Sequence, residues 1–213
     1  MPNQANNDSA LESLLQCMQH WSENQTNPVL DLLQGNDLIQ NQKYPDPALA
    51  CQDGLLQVFY HYHQKPFQFS DEHGHFHFFV HSPAIHERDA EWSHVAGLCI
   101  NSQGQAIRWF TVNHWVTAGH WLCSTDLIHK IDQLEPPFNK QSVLQQWLVT
   151  MLVLFRPTID GLLVERDQKL GELCSTHNMS PHEVMQNHEF YIMSEHIFDL
   201  HQFLSETFSD KIG

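Results

Sequence analysis

Residues 59–81 read Phe59-Tyr60-His61-Tyr62-His63-Gln64-Lys65-Pro66-Phe67-Gln68-Phe69-Ser70-Asp71-Glu72-His73-Gly74-His75-Phe76-His77-Phe78-Phe79-Val80-His81. At both ends of this stretch, histidines alternate with aromatic or aliphatic residues at a period of two. Side chains two apart on a strand point to the same face. The spacing therefore predicts two strands, over residues 55–63 and 75–81, joined by residues 64–74. In a simple hairpin register, His63 sits opposite His75 and His61 opposite His77. Phe59, His61, His63, His75, His77 and Phe79 then share one face. Tyr60, Tyr62, Phe76, Phe78 and Val80 share the other, which reads as the core face packed under helices.

Downstream, residues 94–100 and 105–117 read as two further strands. They flank Asn101-Ser102-Gln103-Gly104, a polar turn ending in glycine and the clearest hairpin signal in the chain. Upstream, Ser9-Ala10-Leu11-Glu12 has the form of a capping box, and Leu11, Leu14, Leu15 and Met18 follow at helical spacing to about Glu23. Asn27-Pro28 opens a short helix through Leu33. Tyr44-Pro45-Asp46-Pro47 is expected to break any regular element.

After Glu135-Pro136-Pro137 the pattern turns helical. Asn139 or Ser142 caps a helix through Phe155, Pro157 kinks it or starts another, and Ser180-Pro181-His182-Glu183 is a second capping box. A last helix is expected over residues 190–208, with Ile192, Ile197, Leu200, Phe203 and Leu204 as its apolar stripe. The predicted fold class is α+β: an antiparallel sheet of about four strands flanked by N-terminal and C-terminal helices. Residues 1–8 read as a flexible tail and 9–213 as a single domain, with helices over 9–35, the sheet region over 55–122 and helices over 139–208.

Bulk properties narrow the function. The 213 residues fit one ordinary domain, and 41% apolar content with thirteen Phe and six Trp can fill its core. A formal charge of −15 argues against nucleic acid or an anionic membrane as partner. The polar first residues have no basic stretch followed by an apolar run, so no secretory leader is expected. No apolar run reaches membrane-spanning length. The five cysteines are scattered without a C-x-x-C, which suits reduced thiols and a cytoplasmic location.

The candidate chemistry follows from the histidine strands. Same-face residues on a strand lie about 6.6–7 Å apart and neighbouring strands about 4.8 Å apart. Imidazole nitrogens bind metals at about 2.0–2.1 Å, so rings from two H-x-H runs can lean onto one ion. The metal-ligand candidates are His61, His63, His75 and His77, with His94 joining from the third strand. Imidazole suits zinc, iron and copper alike, so the expected cofactor is a divalent transition metal without further choice. Glu72 can serve as ligand, supporting partner or general base, and His73 as a proton carrier at the strand entrance. His81 and His86 lie towards or beyond the far end.

Arg108, in the middle of an apolar strand, must pair with an acid (Glu87, Glu91 or another) or fork onto an anionic small-molecule substrate. The late histidines have no metal-ligand spacing, and His182 and His188 miss the H-E-x-x-H zinc-protease pattern. Phosphate-binding loops, a nucleophile elbow and a Rossmann fingerprint are missing. A cupin-type barrel also carries H-x-H on a strand, but its downstream Glu and second motif are not found here.

Glu72-His73-Gly74-His75-Phe76-His77, with His61-x-His63 upstream, His94 opening a strand and Arg108-x-Phe110-Thr111-x-Asn113-x-Trp115-Val116-Thr117 downstream, resembles an uncharacterised bacterial domain-of-unknown-function family. The resemblance covers roughly residues 45–205. It implies no established activity, only that the histidine segment belongs to a recurring design. The family pattern has a basic residue where this chain has His114, which argues against His114 as a ligand. The expected function is a histidine-rich metal site on a sheet, in a small metalloenzyme with Glu72, His73 and Arg108 as its catalytic candidates. The alternative is a non-catalytic metal-binding or pH-responsive binding module.

Overall fold

The computed structural model describes residues 4–51, 54–63, 71–82, 92–134 and 142–209. Two helices come first, α1 (Gln4–Glu23) and α2 (Pro28–Leu33). The chain continues through β1 (Tyr44–Cys51), β2 (Leu56–His61), β3 (Glu72–His81), β4 (Trp92–Asn101) and β5 (Ala106–Val112). Next come α3 (His114–Thr117), α4 (Ser124–Ile131), α5 (Val143–Leu154), α6 (Arg156–His177) and α7 (Pro181–Gln186). It closes with β6 (Ile192–Ile197) and α8 (Leu200–Ser209). The six strands form one antiparallel sheet in the order β1-β2-β3-β4-β5-β6. The class is α+β as expected, with two more strands than the periodicity indicates.

The period-two pattern sorts the sheet into two faces. Leu56, Val58 and Tyr60 of β2, Phe76, Phe78 and Val80 of β3, Ala96 and Leu98 of β4, and Trp109 of β5 enter the main core. Leu11, Leu14 and Trp21 of α1 and Trp147, Leu148 and Met151 of α5 pack onto them. Trp147 is the hinge of this packing, edge-on to Trp21 at 5.6 Å and to Phe76 at 6.0 Å. Burial of so many large side chains on one face fixes the strand register, because a slip of one residue would turn the histidines into the core. The other face is left for Phe59, His61, His75, His77, Phe79, Cys99, Arg108 and Phe110.

Local signals explain most boundaries. Asn27 caps α2 by accepting from the amides of Val29 and Leu30. Ser142 with Gln145, and Ser180 with Glu183, form capping boxes at α5 and α7. In the β4–β5 hairpin the Asn101 side chain accepts from Gln103 and Gln105 amides, and Gly104 takes φ +82°.

Four expectations need correction. Helix α1 begins at Gln4, five residues before the expected cap at Ser9. Tyr44-Pro45-Asp46-Pro47 lies within β1; prolines are tolerated there because β1 is an edge strand, where a missing N–H costs no ladder bond. The strand expected through Thr117 stops at Val112, where the Asn113 side chain caps α3. The single helix expected over residues 190–208 is a strand followed by a helix. Pairing of β6 with the open edge of β5 overrides the helical stripe, and Asp199 restarts the helix by accepting from the Gln202 amide.

His86, Glu87, Glu91, Asn139 and the Glu135-Pro136-Pro137 break lie outside the described residues. Among the described residues no single helix is long and apolar enough to cross a membrane.

Candidate metal centre

Strands β2 and β3 pair with His61 opposite His75 and Phe59 opposite His77. The register is thus two residues off the simple hairpin guess, because β2 ends at His61 and His63 lies past it. Parity is unchanged by a shift of two, so the same side chains share the face. His61, His75 and His77 converge: one ring nitrogen from each lies within 4.8 Å of the others. His61 Nε2 and His75 Nε2 are 2.8 Å apart. His75 and His77 are buried, and His61 is half-buried.

Hydrogen bonds behind two of these rings decide which nitrogens they offer. His75 Nδ1 meets Glu72 Oε1. An ionised carboxylate only accepts, so His75 carries its proton on Nδ1 and turns the Nε2 lone pair to the cluster. His77 Nδ1 lies 2.9 Å from His94 Nε2. When His77 donates there, its Nε2 keeps a lone pair free for a ligand. His94 therefore stands behind His77 rather than inside the convergent trio.

Glu72 reaches His75 through a local irregularity. Residues three apart on a regular strand point to opposite faces. Between Glu72 and Gly74 the β3–β4 register shifts, since Glu72 pairs with Asn101 and Gly74 with Ile100. One extra residue in β3 makes a β-bulge, which swings Glu72 onto the histidine face. Gly74 is required at this point. A β-carbon there would collide with the Tyr60 ring and hydroxyl and sit 2.7 Å from the His61 carbonyl oxygen. The same bulge sends His73 to the opposite face, where its Nδ1 lies 2.7 Å from the Tyr60 hydroxyl.

Glu72 is 7% exposed and is held by groups on neighbouring strands. Besides His75, its Oε2 accepts from Arg108 at 3.0 Å and from the Cys99 thiol at 3.1 Å. Burial pushes its carboxyl up, but His75, Cys99 and Arg108 outweigh that and hold it below the ordinary carboxylate range. Arg108 spends its other arm on Glu195 at 2.7 Å and lies over the Phe110 ring at 5.0 Å. The guanidinium thus braces Glu72. The expected pairing with an acid is met by Glu72 and Glu195, neither of them one of the two acids named from the sequence.

The cluster sits among aromatic rings. Phe110 is edge-on to His75 at 5.3 Å and to His77 at 5.9 Å. Gly97 pairs with both His77 and Phe110, and a β-carbon there would land on the Phe110 ring. Burial is the main reason the imidazoles resist protonation. With the neighbouring imidazoles and Lys43 adding to it, His61 is pushed down to about 2. Burial, then Arg166 and His75, take His94 down to about 3. His77 is likewise held well below its ordinary value. His61, His77 and His94 therefore stay neutral at neutral pH, the state in which imidazole binds metals.

His63 lies beside the trio, its ring 4.4 Å from that of His61 and 5.5 Å from that of His75. Its Nδ1 is 2.5 Å from Asn41 Oδ1. His81 stands away, against Trp92. Cys99, Glu195, Phe110 and Asn41 were not foreseen. Only the glycine inside a strand, a usual mark of a bulge, could have pointed to the Glu72 arrangement.

No curated protein and no solved structure matches the chain. A family model matches residues 8–198, nearly the whole chain. The chain belongs to the family described as Domain of unknown function (DUF6969).

Proposed function

We propose that His61, His75 and His77 bind one divalent transition-metal ion through their Nε2 atoms, and that the protein is a small metal-dependent enzyme. The observation that carries this reading is the convergence of three imidazoles, two of them with Nδ1 engaged from behind. A carboxylate behind a histidine is the usual support of a metal-binding imidazole, because it fixes the tautomer and raises the basicity of the other nitrogen. A tetrahedral ion with bonds of about 2.0–2.1 Å separates its ligand nitrogens by about 3.3 Å. The 2.8 Å between His61 and His75 has only to open slightly to admit one.

Three protein ligands leave a coordination position open, the mark of catalytic rather than structural sites. The ion would supply Lewis acidity there, to water or to dioxygen. The chain's own residues supply the rest. Glu72 and His94 orient ligands, Arg108 keeps Glu72 ionised and in place, and Phe59, Phe79 and Phe110 exclude bulk water. His73 faces away and takes no part. The formal charge of −15 disfavours nucleic acid as partner and leaves a small-molecule substrate, and the scattered cysteines suit the cytoplasm.

A second reading rests on His63. Its ring is close enough to complete a four-histidine shell by a modest turn, which would make a closed, non-catalytic site. Titration with cobalt(II), followed by visible absorption, separates the two. The enzyme reading predicts one site whose spectrum changes with added azide and survives His63→Gln. A spectrum indifferent to azide and lost in His63→Gln would favour the closed module, and no ligand-field bands at all would refute both.

A further inference from the structure

The two rings that wall the histidine cluster also wall a cavity. This cavity, of about 260 Å³, is lined by Lys43, Gln57, Phe59, Phe79 and Trp92 and by the turn Thr117-Ala118-Gly119. Its place follows from the strand register. Gln57, Phe59 and His61 succeed one another on one face of β2, and His77 and Phe79 on the same face of β3. The cavity is therefore one same-face step, about 7 Å, along the strands from the imidazoles. Phe59 is the shared wall: its ring centroid lies 5.5 Å from that of His61 and 5.4 Å from that of His77. Phe79 stacks on Phe59 at 5.4 Å and meets His94 at 5.2 Å.

The lining has a definite chemistry. Three aromatic rings give flat apolar walls, Gln57 gives one amide, and Lys43 places its ammonium 4.5 Å from the centre of the Phe59 ring. Lys43 is exposed and is the cation at the cavity rim among the lining residues. A small, largely apolar pocket with one convergent charged group is the usual form of a small-molecule site. The volume falls just short of the usual range for such sites, roughly 300–1,000 Å³, so the ligand is small. Another cavity, of about 160 Å³ among Trp21, Trp147 and Leu200, is on the opposite face of the sheet and touches none of the clustered histidines.

We infer that the Phe59–Phe79 cavity is the substrate pocket of the proposed metal site, and that it takes a small organic acid. The apolar or aromatic body lies against Phe59, Phe79 and Trp92, and the carboxylate pairs with Lys43. The far end of the molecule then points along β2 towards His61. This assignment rests on the metal reading for the reaction but not for the binding. Arg108, whose arms hold Glu72 and Glu195, leaves recognition of the anion to Lys43.

The test uses 3-phenylpropanoate as probe, with the uncharged 3-phenylpropanamide as control, in calorimetric titrations of metal-free full-length protein. Expected is saturable binding of the acid, about ten-fold or more tighter than the amide, with the difference lost in Lys43→Met. Because Lys43 is exposed, that variant keeps its core. In cobalt-loaded protein, saturation with the acid should shift the visible bands. Equal affinity for acid and amide, undiminished acid binding in Lys43→Met, absence of saturable binding, or binding without a band shift in cobalt-loaded protein would each overturn the inference. Lys43-dependent binding by protein that takes up no cobalt would sink the metal reading and leave the acid-binding pocket standing.

Discussion

At the scale of single residues, Glu72 decides how the histidine cluster can act. It is a buried carboxylate that touches a ring, a thiol and a guanidinium, and each contact holds one lone pair in place. Removing the charge while keeping the shape isolates its role. In Glu72→Gln the carbonyl can still accept from His75, but the amide N–H₂ then competes with Arg108, also a donor, for the same space. Metal affinity measured by chelator competition should fall about 10–100-fold, the usual effect of losing such a supporting partner. Unchanged affinity would mean that Glu72 does not orient His75. Arg108 belongs to the same unit, since a buried carboxylate stripped of its cation is strongly destabilising.

At the scale of elements, the β3 bulge is the device that assembles the site. Without it Glu72 and His75 would lie on opposite faces, and His73 would take the place the alternation assigns to it. Gly74→Ala tests this. The added methyl meets Tyr60 and the His61 backbone, so stability should drop by about 1–3 kcal/mol in urea unfolding, with weaker metal binding. A variant as stable and as tight as the parent would show that the bulge is not sterically fixed. This is also where the sequence was hardest to read. The histidine parity, the core face and the β4–β5 turn were legible, because alternation and turn chemistry are local. The face His73 takes was not legible and the hairpin register was missed by two residues, because a bulge and a strand end depend on pairing partners. Strand β6 was hidden for the same reason: its helical stripe is real, but the edge of β5 outbids it.

At the scale of the whole molecule, the main core lies on one face of the sheet and the histidine cluster on the other. This division makes the fold sensitive to acid. An unfolded imidazole titrates near pH ~6.5. In the folded protein His61 is held at about 2 and His94 at about 3, with His77 also well below its ordinary value. Below pH ~6.5 the unfolded chain therefore binds protons that the folded chain refuses, so stability is full above that pH and lost as pH falls. Glu72, held below the ordinary carboxylate value, adds a loss of the same sign further into acid. From pH 7.5 to 5.5, His94 alone should cost metal-free protein about 1–1.5 kcal/mol, and His61 and His77 add to the loss. Urea midpoints at the two pH values check this, and equal midpoints would contradict buried, neutral imidazoles.

The central claim is that three imidazoles from two paired strands hold one ion. The most direct measurement is elemental analysis of protein made without a histidine tag, beside a variant with His61, His75 and His77 all changed to Gln. The account predicts about one transition-metal ion per chain in the parent and background in the variant, with the fold retained in both. Background metal in the parent after exposure to zinc, iron and copper, or equal metal in the two proteins, would contradict it.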